Sequence, residues 1–279
     1  MKGNQPAVTF HTAAPATAPP PDSTSGGPVP PIRGVHDWLG VDPVGSLALV
    51  ADHDVADPTA GFAVLVFSRT TGYRHASITA GIDALRQLGG AHRFTVAATE
   101  DGSAFTRENL ARYRVVIWLS TSGDVLDDDQ RNAFEEYISE GGGYVGIHGA
   151  ANTEYHWAWY GDLVGAYFRS HPEPQPATIT VRDSQHPSTA HLTPAWRCFD
   201  EWYDFRSLPG PDVAVLLTLD EGTYRGGGMG AYHPIAWCHE YAGGRSFYTG
   251  LGHTAELYAE PWFADHLLGG VRYAAARPD

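Results

Sequence analysis

Three short runs without a charged residue constrain this chain most: Phe62–Phe67, Val115–Leu119 and Tyr144–Ile147. Each has the length of a strand, and a strand that shows no polar alternation must be covered on both faces. Between them the apolar period becomes helical. Ile78, Ile82, Leu85 and Leu88 recur at helical spacing, and Gly89-Gly90 is the expected stop. Asp127 with Gln130 three residues on resembles a capping box, ahead of an apolar face of Phe134, Tyr137 and Ile138. Phe94–Ala98 reads as a further strand and Thr106–Tyr113 as a short helix. Strands alternating with helices at this spacing predict a doubly wound α/β fold, with a mostly parallel sheet and helices on both faces.

After about residue 176 the rhythm is mixed. Thr178–Val181, Val213–Leu217, Ile235–Trp237 and Gly244–Thr249 read as mixed β additions, and Leu267–Ala276 as a closing helix. Residues 1–34 are rich in proline, alanine, threonine and serine, and are expected to form a disordered tail. Residues 35–60 are an extension of undecided structure, which leaves 61–279 as the α/β domain.

Charge narrows the partners. Lysine and arginine total 18 against 32 aspartates and glutamates, a formal charge of −14. Nucleic acid and anionic membranes demand a basic face, so neither is the expected partner. No apolar run approaches the roughly 18 residues of a membrane span. Met1–Pro6 carries one charge with no apolar stretch behind it, so no secretory leader is expected and the assignment is cytoplasmic. Cys198 and Cys238 have neither zinc spacing nor a CxxC arrangement.

In doubly wound sheets, ligands sit beyond the carboxyl ends of the strands. That edge receives Tyr73, Arg74 and His75, then Ser120 to Gly123, then His148 within Gly146–Ala150, then His253 within Gly250–Thr254. One histidine near a strand end more often packs than reacts; three arriving at one edge point to a site. The small residues around His148 resemble a nucleophile elbow. Imidazole there can act as general base, general acid or metal ligand. Asp200-Glu201-Trp202-Tyr203 offers carboxylates on opposite faces, and Glu201 is taken as the one facing a pocket. Glu256, three residues after His253, could orient that imidazole. Aromatic side chains, notably Trp157, Tyr160 and Tyr203, suit sugar rings, although helical spacing makes about half of such residues core. Of three His-Pro dipeptides, 171–172 and 186–187 read as structural turns, and His233 as a candidate substrate contact beside Gly226–Gly228.

The blocks GYRHASI (72–78), GGGYVGIHGAANTEYHWAWYG (141–161), FRSHPEPQPATITV (168–181), HPST (186–189), DEWYDF (200–205) and HPIAWCHEYAGGRSFYTGLGHT (233–254) occur in that order. Together they resemble the ThuA-like (trehalose utilisation) family, whose fold is similar to class I glutamine amidotransferases. The resemblance implies a flavodoxin-like α/β sandwich and a role in the use of trehalose and related disaccharides, where sugars are oxidised to 3-keto forms. It places His148 where the amidotransferase elbow carries cysteine, and His253 with Glu256 where that triad is completed.

The expected function is therefore that of a carbohydrate-active enzyme acting on a glycoside or 3-keto-glycoside by hydrolysis, elimination or isomerisation. His148, His253, Glu201 and Glu256 are the candidate catalytic residues. Tyr73, Arg74, His75, Trp157, Tyr160, Tyr203 and His233 are candidates for holding the sugar. A divalent metal, zinc or manganese, could sit on His148 and His253, with His75 or Glu201 as the third ligand. The partner is a small-molecule carbohydrate, and self-association into a homo-oligomer is left open. The alternative is a sugar-binding protein without catalysis. An amidohydrolase using Ser120 or Ser122 ranks last, because those serines follow no elbow.

Overall fold

The computed structural model describes residues 61–276, so the expectations for 1–34 and 35–60 lie outside the described residues. The parallel part contains β1 (Ala63–Phe67), β2 (Thr95–Thr99), β3 (Val115–Leu119) and β4 (Gly143–Ile147), and is completed by β11 (Gly244–Thr249). The remaining strands are β5 (Phe168–Ser170), β6 (Gln175–Val181), β7 (Ala195–Asp200), β8 (Asp204–Phe205), β9 (Ala214–Asp220) and β10 (His233–Tyr241). The helices are α1 (Ile78–His92), α2 (Arg107–Leu110), α3 (Asp128–Ser139), α4 (Ala158–Val164) and α5 (Pro261–Ala275).

Nine strands form one sheet in the order β2-β1-β3-β4-β11-β10-β9-β6-β7, while β5 and β8 pair separately. The first five are parallel and every later pairing is antiparallel. Adjacent residues of a strand point to opposite faces. Trp118 of β3 packs on Phe134 of α3, at 5.5 Å between ring centroids. Its neighbour Leu119 lies against Gly81 of α1. Helices therefore cover both faces of β3, which is why its sequence shows no alternation. Trp118 also stacks on Tyr160 at 4.6 Å; such pairs add about 0.5–1.5 kcal/mol beyond the area they bury.

The ends of two helices differ from expectation. The α1 helix runs past Gly89-Gly90 and stops at Arg93, which takes φ 64°. Gly89 serves a close approach instead, because a Cβ there would meet the Phe94 carbonyl oxygen at 2.5 Å. The α5 helix starts at Pro261, six residues before the expected start, with proline in the first turn where its missing N–H costs nothing. The capping box of α3 forms as expected: Asp127 accepts from the Gln130 N–H at 2.9 Å, and Gln130 Oε1 accepts from the Asp127 N–H at 3.1 Å.

Direction decides what reaches the site. Four antiparallel steps separate β11 from β7, so β7 again runs with the parallel strands. Its carboxyl end, Asp200, therefore arrives at the same edge as those of β4 and β11. A flat sheet would leave β7 about 19 Å from β11. Yet Asp200 Oδ2 accepts from the Gly252 N–H at 2.7 Å. The antiparallel half coils back towards the parallel half, following the twist that sheets carry.

Candidate active site

The carboxyl ends of β1, β4 and β11 deliver the three histidines. His148 takes φ 47°, a left-handed conformation that costs a non-glycine residue about 1–2 kcal/mol. Gly149 makes the turn feasible, since a Cβ there would stand 2.9 Å from the Thr121 carbonyl oxygen. The elbow leads into a 3-10 turn, His148–Asn152.

His148 is fully buried. Its Nδ1 lies 2.8 Å from the Gly250 carbonyl oxygen. A carbonyl only accepts, so Nδ1 carries the proton and Nε2 presents a lone pair. Nε2 stands 3.3 Å from Glu201 Oε2 and 3.3 Å from His253 Nδ1. His253 Nδ1 is 3.2 Å from the same Glu201 oxygen. These atoms form a nearly equilateral triangle. His75 joins it, with its ring centroid 4.6 Å from that of His148 and 5.3 Å from that of His253. The His75 Nδ1 is buried without a hydrogen-bond partner. One donor atom from each of His75, His148, Glu201 and His253 lies within 4.8 Å of the others.

Electrostatics separates the members. Burial and the neighbouring His148 and His253 push His75 down to about 3, so it is neutral. Burial acts to raise Glu201, but the neighbouring His148 and His253 imidazoles outweigh it and hold the carboxyl well below its ordinary range. The hydrogen bond to Glu201 raises His253.

Two residues beyond the expected set complete the surroundings. Asp200 accepts from the backbone N–H groups of Gly252 and Thr254, at 2.7 and 3.2 Å, and so fixes the segment that carries His253. His171 Nδ1 lies 3.1 Å from Glu201 Oε1, on the more open side. It does more than form the turn expected of it. Its His-Pro dipeptide and its place in a resemblance block were the signals that could have singled it out. Asp200 was in view as the first of two adjacent carboxylates.

The other candidates divide. Tyr203 is buried with its ring centroid 4.2 Å from that of His148. Tyr73 is 64% exposed and meets His75 edge-on at 4.8 Å. Arg74 pairs with Glu100 at the surface. Trp157 and Tyr160 are core side chains packed on one another and on Phe134 and Trp118, so they offer no face to a sugar. His233 is fully buried and holds the Tyr203 carbonyl oxygen at 2.9 Å through Nε2, so it positions Tyr203 and touches no solute. Glu256 is exposed, and the carboxylate beside His253 is that of Glu201. Ser120 is fully buried, and the Ser122 hydroxyl donates to the Tyr73 carbonyl oxygen at 2.6 Å. Cys198 and Cys238 are free thiols in β7 and β10, raised by burial to about 12 and about 11.

A second convergence joins Asp204, Glu221 and His233. Its atoms are engaged by the surrounding chain. Glu221 Oε1 accepts from the Met229 N–H at 2.8 Å and faces His233 Nδ1 at 2.9 Å. Asp204 accepts from the Gly228 N–H at 3.0 Å and from Arg169 at 3.2 Å.

The ThuA trehalose-utilisation family model matches residues 63–274. The chain belongs to the ThuA family. A solved ThuA-like protein from Bacteroides uniformis is 26% identical, with a TM-score of 0.68, covering 79% of this chain and 94% of that one. Another from Parabacteroides merdae is 23% identical, with a TM-score of 0.65, covering 77% and 90%. A Salmonella typhimurium protein described as cytoplasmic shares the fold at 14% identity and a TM-score of 0.55, covering 77% and 99%. No curated protein matches the sequence. Among the described residues of this ThuA-family chain, no helix is long and apolar enough to cross a membrane.

Proposed function

We propose that this protein is a carbohydrate-active enzyme that holds a divalent metal ion, zinc or manganese, on His148, Glu201 and His253, with His75 beside them and one position left for substrate. The observation that carries the reading is the triangle of His148 Nε2, Glu201 Oε2 and His253 Nδ1, with edges of 3.2–3.3 Å. Donor atoms on a tetrahedral ion bonded at about 2.0–2.1 Å stand about 3.3–3.4 Å apart. The donor chemistry fits as well. His75 is neutral with an unpartnered buried Nδ1, His148 is locked in one tautomer by the Gly250 carbonyl, and Glu201 is held ionised. The strand order β2-β1-β3-β4-β11 supports a flavodoxin-like, doubly wound reading of the parallel half, with this cluster at its ligand-binding edge.

The substrate class is a glycoside, in particular a 3-keto-glycoside, in keeping with the trehalose-utilisation family. When bound, the ion supplies Lewis-acid polarisation of a carbonyl oxygen. A ketone acidifies the neighbouring C–H, so a nearby base can remove that proton and open the way to elimination or isomerisation. His171 would serve as that base, because its imidazole is partly open and its Nδ1 lies 3.1 Å from Glu201 Oε1. Tyr203 walls the cluster on the His148 side. Where no ion is held, His148 Nε2 is the base and His253, raised by Glu201, is the acid.

Turnover of a 3-keto-disaccharide by the purified protein and by His148→Ala tests the proposal. Loss of turnover of about a hundredfold or more in the variant is expected. Undiminished turnover in the variant contradicts the role of His148. Saturable sugar binding with no product in either protein would instead favour a non-catalytic binding protein.

A further inference from the structure

A cleft of about 490 Å³ lies between the end of β7 and residues 254–262. This volume is within the ordinary range for small-molecule sites, about 300–1,000 Å³. Its walls include Arg197, Phe199, Thr254, Glu256, Glu260 and Trp262. Phe199 is 52% exposed, a large apolar side chain left open at the last strand of the sheet. The two walls of the cleft run on along the chain into the site. Phe199 stands two residues before Glu201, and Thr254 follows His253. Both segments are tied together by Asp200, which accepts from the Thr254 N–H at 3.2 Å.

The lining is specific in its chemistry. Two aromatic side chains offer flat faces to the C–H faces of a pyranose ring. Two carboxylates, a guanidinium and a hydroxyl supply partners for its hydroxyl rim. Two glutamates against one arginine disfavour a phosphate or a carboxylate in the same place, as does the chain's net charge of −14.

We propose that this cleft is the subsite for the unreacting glycosyl unit of a neutral disaccharide, and that Glu256 and Glu260 exclude phosphorylated sugars from it. The inference rests on the carbohydrate reading above and narrows it to unphosphorylated disaccharides.

Calorimetric titration of the full chain tests it, with trehalose, methyl glucoside and trehalose 6-phosphate as probes. Trehalose is expected to bind at least tenfold more tightly than methyl glucoside. Phe199→Ala, with its melting temperature recorded, should weaken trehalose about tenfold and leave methyl glucoside unchanged. Trp262→Leu should act in the same direction, with its melting temperature recorded because Trp262 packs against Trp196. The double variant Glu256→Gln, Glu260→Gln should tighten trehalose 6-phosphate at least tenfold. Equal trehalose affinity in Phe199→Ala and the native chain would overturn the subsite, as would tighter native binding of the phosphate than of trehalose. Methyl glucoside binding with no gain from the second unit defeats this inference alone. Failure of all three probes to bind defeats it together with the carbohydrate reading.

Discussion

His148 and His233 are both fully buried, and each lies within reach of a glutamate and gives one ring nitrogen to a backbone carbonyl. Their second nitrogens differ. His148 Nε2 faces Glu201 Oε2 and His253 Nδ1, three atoms that can share one centre. His233 Nδ1 faces Glu221 Oε1, which already accepts the Met229 N–H, and the Tyr224 hydroxyl at 3.0 Å. Asp204, the remaining carboxylate there, is occupied by Gly228 and Arg169. The same residue types thus build a donor set in one place and a closed clamp on the 226–230 segment in the other. Proximity of histidine and carboxylate does not define a metal site; the direction of the remaining lone pairs does.

The sharpest contrast pairs Asp200→Ala with Glu221→Ala. Asp200 positions the His253 segment, so its loss should lower zinc affinity about ten- to a hundredfold. Glu221→Ala should leave zinc affinity unchanged and lower stability by about 1–3 kcal/mol, since the Met229 N–H loses its acceptor. Competition with a chromophoric chelator and urea unfolding read the two quantities.

A smaller effect concerns acid. His75 falls to about 3 in the folded chain, from 6.5 when unfolded. Facing His148, His253, Glu201 and His171, it stays neutral while the unfolded state binds a proton. The stability it contributes is present above pH 6.5 and is lost as pH falls from 6.5 towards 3. In chelator-treated protein, His75→Gln should recover about 2 kcal/mol of the loss between pH 7 and pH 5. His266, which burial lowers to about 4, should continue to destabilise the variant in the same window. Urea unfolding across that range checks the difference. The smallest effect is that of Arg74→Ala. Its pair with Glu100 is half exposed on both sides, so stability should change by less than about 0.5 kcal/mol in thermal melts.

Much of the parallel half could be read from local pattern. Unbroken apolar runs marked β1, β3 and β4, and Asp127 with Gln130 marked the start of α3. The meeting of His75, His148 and His253 follows from parallel strands ending at one edge. The arrival of Glu201 was not legible in that way. It depends on the direction of β7 and on the coiling of the antiparallel half, and both are set by long-range pairing. Trp157 and Tyr160 show the converse. Aromatic composition is the same for a sugar platform and a core, and only packing on Trp118 and Phe134 assigns them. Glu256 stands at helical spacing from His253, yet that spacing loses its meaning where a 3-10 turn begins.

Elemental analysis after dialysis against zinc, with the native chain, His148→Ala and His233→Gln side by side, tests whether the His148 cluster holds a metal ion. Close to one equivalent of zinc is expected in the native chain and in His233→Gln, and less than about a tenth in His148→Ala. Zinc retained by His148→Ala and lost from His233→Gln, or absent from the native chain, would contradict that expectation.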